Sequence, residues 1–267
     1  MRLLAASGAA LLILIGATGA TAQENAQQAR TEAFAKLPYW PGYWVSEQQA
    51  GTTIGGLPPE VLAARERGEP ITVGFMKLNG RAAPWNEEGQ RRQAARAQVV
   101  DRKAKGWGFP MMMNAATPIQ VLITPEEVLI INSYNETRHI YTDGRPMPPL
   151  DDLWPTVAGT SIGHWEGDVL VIDTIQVKNP NLYFHGAPPL SEDAHYHERM
   201  WLDGDVLRSE ITIEDPVTLA MPWKVDIAWV REEGFDRMVQ IDWDNDRTGS
   251  DGAYNTIEPT TVTEDGE

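Results

Sequence analysis

The chain contains no cysteine. That excludes disulfides, thiolate metal ligands, a cysteine nucleophile and lipid attachment through a thiol. It is also short of positive charge: 22 Lys and Arg stand against 38 Asp and Glu, a formal net charge of −16. Nucleic acid selects basic surfaces through its phosphates, and anionic membranes do the same, so neither is an expected partner. Long apolar runs are missing beyond the first 22 residues, so no later segment is expected to enter a membrane. Dinucleotide and P-loop signatures are absent, and no cofactor is expected.

What the chain does have begins with an export signal. Arg2 is a one-charge n-region and Leu11-Leu12-Ile13-Leu14-Ile15 is the heart of an apolar h-region. Ala20-Thr21-Ala22 is an A-x-A cleavage site before Gln23. Residues 1–22 are therefore expected to be removed and the protein to be periplasmic or secreted. An exported chain without disulfides must be held by its core, and a chain of about 245 residues can bury one. Ten tryptophans point to a large core, an aromatic pocket or both.

Residues 23–117 read as an arm, a plug and helices. Glu24 to Ala35 is polar and Ala-rich, an arm. Leu37-Pro38-Tyr39-Trp40-Pro41-Gly42-Tyr43-Trp44 is aromatic and punctuated by prolines, which remove donors and fix φ. It is expected to plug one end of the core. Pro58 to Arg67 is expected as a short helix with Pro in its first turn. Asn86 to Lys105 is the clearest helix, with Asn86 as N-cap and Glu87 and Glu88 in the first turn. Basic residues follow, and Gly106 and Gly108 end it.

From Pro118 the pattern changes to strands. Apolar runs at Ile119–Ile123, Val128–Ile131, Thr137–Thr142, Val169–Thr174, His195–Leu202, Val206–Glu214, Trp223–Val230 and Met238–Trp243 recur near every ten residues. Trp223, Val225, Ile227 and Trp229 alternate with Lys224, Asp226 and Ala228, a period of two. Glu166-Gly167-Asp168 is a hairpin turn feeding Val169–Ile172. The expected fold is mainly β: an antiparallel β-barrel, lipocalin-like or similar, over residues 118–245, with one or two N-terminal helices. Residues 246–267 follow as an acidic tail; from Ile241 to Glu267 eight acids accompany one base, Arg247.

His195, His197, Arg199 and Trp201 share one face of a strand. The turn at Asp203-Gly204 decides which face. A three-residue loop pairs His195 with Ile211, His197 with Ser209 and Arg199 with Leu207, and turns the imidazoles inward. A two-residue turn on Asp203-Gly204 sets His197 against Glu210 and leaves them wet. Both registers are open. The inward one is the expectation, because it gives the second strand one clean apolar face. Two histidines and an arginine inside must then be partnered, with Arg199 on an acid such as Asp173, or must face a binding pocket.

Imidazole changes charge near neutrality, so an oriented His can move a proton unaided. His195 and His185 are the candidates, with Tyr141 as a possible acid and Arg199 to hold an oxyanion. His164, Trp165, Asp173, His197 and Trp201 are candidate ligand-binding residues. His-x-His at 195–197 has the spacing for a metal, but without cysteine or a second such pair no metal is assigned. Gly159-Thr160-Ser161-Ile162-Gly163 matches G-x-S-x-G. That motif requires a strand before the serine and a helix after it, and here a strand follows.

Ile140-Tyr141-Thr142-Asp143-Gly144-Arg145-Pro146, then Ser161-Ile162-Gly163-His164-Trp165-Glu166-Gly167-Asp168 through Asp173-Thr174, then Ser191, Glu192, His195, Glu198, Arg199 and Met200, form a recognisable series of phrases. Together they resemble a large group of secreted bacterial proteins found in acidobacteria and sphingomonad-like bacteria. The likeness covers about Pro118 to Trp223 and implies a shared fold and export. This chain has Met147 and Leu190 where that group commonly has His, and His197 where it has an apolar residue.

The expected function is binding of a small apolar or aromatic molecule, with cofactor-free acid–base chemistry of the lyase or isomerase type. The alternatives are a non-catalytic ligand carrier, an adhesive or structural protein and, further off, a metal-dependent or serine hydrolase.

Overall fold

Nine strands close into a single ring, and the odd number decides how they are laid. The computed structural model describes residues 25–47, 67, 78, 83–97, 107–114, 117–178 and 188–238. Its strands are β1 (Tyr43–Ser46), β2 (Ile119–Ile123), β3 (Glu127–Asn132), β4 (Thr137–Tyr141), β5 (Thr160–Glu166), β6 (Val169–Ile175), β7 (His195–Asp203), β8 (Val206–Glu214) and β9 (Trp223–Arg231). They follow chain order around a closed barrel, and β9 returns to β1 through Trp44–Arg231, Val45–Val230 and Ser46–Trp229. Antiparallel neighbours reverse direction at each step, so a ring of nine cannot be antiparallel throughout. One parallel pair is required, and it is β4 beside β5, joined at Ile140–Ser161 and Tyr141–Ile162. The long connection over residues 142–159 is what lets β5 start at the same end as β4.

The expected barrel is present, with two additions. The aromatic stretch supplies β1 as well as packing: Trp44 is an inward-facing wall residue, 0% exposed. Trp40 is buried and meets the Trp165 ring edge-on, with centroids 5.6 Å apart. Thr160–Glu166, absent from the expected strands, is the full strand β5. The Gly167-Asp168 loop does join β5 to β6, with Glu166 opposite Val169 and Gly167 at φ +62.

Among the described residues two α-helices lie ahead of β2: α1 over residues 25–35, and α2, Glu87–Ala97. Asn86 caps α2 as expected, its Oδ1 accepting the Gly89 N–H at 2.9 Å. The Asn86 side-chain amide also donates to the Val217 carbonyl at 3.0 Å, which pins the helix to the β8–β9 connection. A methyl at Gly89 would lie 2.2 Å from the Thr218 carbonyl oxygen, so the helix can approach this closely only there. Residues 1–22, the 58–66 part of the short helix, residues 98–105 of the long one and its Gly106 stop, His185, residues 239–243 and the acidic tail lie outside the described residues.

The β7–β8 hairpin differs from the expected register, and the difference reverses a face. Its loop is Gly204-Asp205, with Gly204 at φ +60 and Asp203 opposite Val206. His195 therefore meets Glu214, His197 meets Thr212 and Arg199 meets Glu210. The apolar side of β8, Leu207, Ile211 and Ile213, faces inward as expected. Against it β7 is displaced by three residues, an odd number, so Tyr196, Glu198 and Met200 point in and the histidines point out. This register buries two large side chains and a single charge. The alternative would have buried two imidazoles and a guanidinium.

Inside, the core is continuous from Trp44 and Trp229 through Ile130, Ile140 and Ile172 to Leu207 and Ile213. A buried 3₁₀ turn, Met111–Asn114, and the preceding Phe109 pack into it.

Candidate functional site

Two polar assemblies use β7, one on each side. The inner one is centred on Arg138 of β4 and Glu198, whose side chains are both 0% exposed. Arg138 donates through Nη1 to Glu198 Oε2 at 3.0 Å and through Nη2 to Oε1 at 2.5 Å. Its Nη2 also donates to Thr174 Oγ1 at 2.8 Å, and its Nε to Ser161 Oγ at 3.3 Å. Ser161 and Thr174 hydroxyls are 2.8 Å apart. The guanidinium lies 4.1 Å from the Phe109 ring centroid, and Phe109 meets the Tyr196 ring edge-on at 4.9 Å. Each guanidinium nitrogen donates to a partner, so the node neutralises its own charge and holds four strands together.

This places Ser161 firmly. It is 1% exposed, inside the barrel and engaged with Arg138 and Thr174. The strand runs on through Glu166 where the motif needs a helix, so the G-x-S-x-G match carries no exposed nucleophile.

The outer assembly starts at Asp173 on β6. Its Oδ1 lies 2.5 Å from His197 Nδ1. A carboxylate only accepts, so Nδ1 is the protonated nitrogen. His197 Nε2 then faces Glu214 Oε2 at 3.8 Å. The His195 ring stands edge-on to His197, centroids 5.3 Å apart. One rung along, Arg199 donates to Glu166 Oε2 at 2.8 Å. The Arg199 hydrogen bond and charge, with a weaker contribution from His164, hold the Glu166 carboxyl below the usual carboxylate range.

His195 and Glu214 also line a cleft of about 510 Å³ at the end of the barrel. One side is the entry to β7, with Asp193. The other is the β8–β9 connection, with Pro216, Leu219, Met221 and Pro222. Asp215 ties the two sides together. It accepts from the Ser191 N–H and hydroxyl, each at 2.7 Å, from the Thr218 hydroxyl at 2.5 Å and from the Val217 N–H at 3.0 Å. Burial pushes its carboxyl up, but these donors outweigh burial and hold it below the ordinary aspartate value. The cleft walls are thus braced before anything binds.

The expected site residues are distributed accordingly. His195, His197 and Asp173 come together, on the outer wall instead of in the interior. Arg199 pairs with Glu166, where Asp173 was the expected acid, and is not free to hold an oxyanion in the cleft. His164 is exposed beside Glu166, 3.5 Å away. Trp165 points in and packs on Trp40. Trp201 is half-buried opposite Arg208. Tyr141 lies on β4, three strands round the wall from β7, under Arg145, whose guanidinium is 4.2 Å from its ring centroid. Among the described residues no group of three or more His, Asp or Glu is placed to hold a metal.

Sequence reasoning missed Arg138, Glu198, Thr174 and Asp215. Parity was the available signal for the first three. Arg138 alternates in step with Ile140, Glu198 with Tyr196 and Met200, and Thr174 with Ile172, so each is a polar residue in an apolar row. Comparisons with protein families, with curated proteins and with solved structures return no match for this chain.

Proposed function

We propose that the protein is an exported barrel that binds a small, largely apolar molecule in the cleft between β7 and the β8–β9 connection. There His195 exchanges a proton with the bound molecule, in chemistry of the lyase or isomerase type. The observation that carries the reading is the position of His195 on the wall of a braced cleft of about 510 Å³, with an apolar side opposite. Such a combination of apolar wall and a few convergent polar groups is how small-molecule sites are usually built. His195 stands against His197, itself oriented by Asp173. No part of the scheme requires a cofactor.

The second reading, a carrier without turnover, is favoured by one specific observation. The imidazole of His195 is exposed, and proton transfer gains most where water is excluded.

A fragment screen followed by turnover assays decides between them. With His195→Ala, retained ligand affinity and a loss of turnover of about a hundredfold or more is the enzyme outcome. Binding to the wild-type protein with no turnover of any bound compound is the carrier outcome. Unchanged affinity and unchanged turnover in the variant would remove His195 from the site.

A further inference from the structure

The charge of the cleft names the class of molecule it takes. Asp193 and Glu214 carry carboxylates on its lining, and Asp215 lies between its two sides. Among the described lining residues His195 is the one able to carry positive charge, and no Lys or Arg is among them. Lys224 on β9 sits at the rung of Thr212, two residues along β8 from Glu214, and does not line the cleft. The opposite side is hydrocarbon: Leu219, Pro222 and Met221, a residue 63% exposed. Methionine is an unbranched, polarisable wall that adapts to irregular or aromatic ligands.

An anionic ligand would face the two outward carboxylates, Asp193 and Glu214, with one imidazole in its favour, while the Asp215 carboxylate is buried and spent on its own donors. A neutral ligand would use the apolar side and leave the carboxylates as they are. A cation with an apolar body uses both sides at once. We infer that the cleft selects small organic cations, an ammonium group set between Asp193 and Glu214 with an aryl or alkyl body against Leu219, Met221 and Pro222. This rests on the reading that the cleft is the binding site. Attraction between partly exposed charges is screened by salt, so the preference must weaken as ionic strength rises.

Benzylamine, benzyl alcohol and benzoate share one body and differ in charge, and their binding to the full chain can be followed by NMR through the histidine ring protons. Benzylamine is expected to bind about tenfold more tightly than benzyl alcohol at low salt, with the ratio falling toward one in 1 M NaCl. Asp193→Asn and Glu214→Gln should each lower benzylamine affinity about threefold and leave benzyl alcohol unchanged. Equal affinity for amine and alcohol, or a preference for benzoate, overturns the inference and leaves the cleft as a binding site. Failure of all three to perturb His195 overturns the underlying reading and the inference with it. Both variants keep the shape of the side chain they replace, and a far-UV spectrum matching the parent separates lost affinity from lost fold.

Discussion

Glu198 and Arg199 are neighbours on β7, and each takes part in an arginine–carboxylate pair. Glu198 meets Arg138 inside the barrel, where both side chains are 0% exposed. Arg199 meets Glu166 outside, where the side chains are 46% and 50% exposed. The groups are the same and the medium is not. Water already solvates the outer pair, so losing it costs little. The inner pair has no solvent to fall back on, and either partner left alone is a charge in an apolar core.

The largest effect should therefore come from splitting the inner pair. Arg138→Met alone, or Glu198→Leu alone, is expected to lose about 3–5 kcal/mol of stability in urea denaturation. The double variant should recover most of that loss, because two apolar side chains no longer leave a lone charge behind. Additive losses in the double variant would break the contrast.

Asp215 comes next. It is buried like Glu198 but neutralised by hydrogen-bond donors, with no opposite charge. Asp215→Ala should cost about 2 kcal/mol at neutral pH by stranding the Ser191 and Val217 N–H groups. Its folded value is depressed, so its contribution is present in full above the ordinary value of 3.8 and lost as pH falls through the lower folded value. In Asp215→Asn that part of the acid-side decline in thermal midpoint should disappear. Glu136 provides a control of opposite sign. Burial raises its carboxyl despite N–H donors from Gly108 and Trp107 and the Asn132 amide. Its contribution is present below 4.5 and lost as pH rises through the raised folded value, so Glu136→Gln should flatten that decline.

The smallest effect belongs to the outer pair. Arg199→Ala should leave the urea midpoint within error of the parent, and 1 M salt should not change that. A clear loss would mean that the outer wall is more than a solvated face.

How much of this was legible follows the same division. Strands β2, β3, β4, β6 and β8 were legible as short runs between turns, β9 from its period of two, and the Asn86 cap from its own chemistry. The parallel step between β4 and β5 was not, since strand parity around a closed ring appears only once all nine strands are counted. β1 is four residues inside a stretch whose prolines argue against regular structure. The face of β7 was misjudged because its odd and even rows are both mixed: histidines and Trp201 in one, Tyr196, Glu198 and Met200 in the other. Glu198 made the truly buried row look polar. Only Arg138, sixty positions earlier in the chain, makes that row acceptable inside, and no local pattern connects the two.

The place of β1 between β9 and β2 has a further outcome for how the molecule is completed. Strands β1 and β9 share a seam, so the circle cannot be sealed until Trp223–Arg231 has joined. A chain halted ahead of that strand would carry unzipped margins on β8 and β1. Each margin offers bare amides and carbonyls to another copy. Strand β9 thus serves as a clasp that satisfies both margins within one chain.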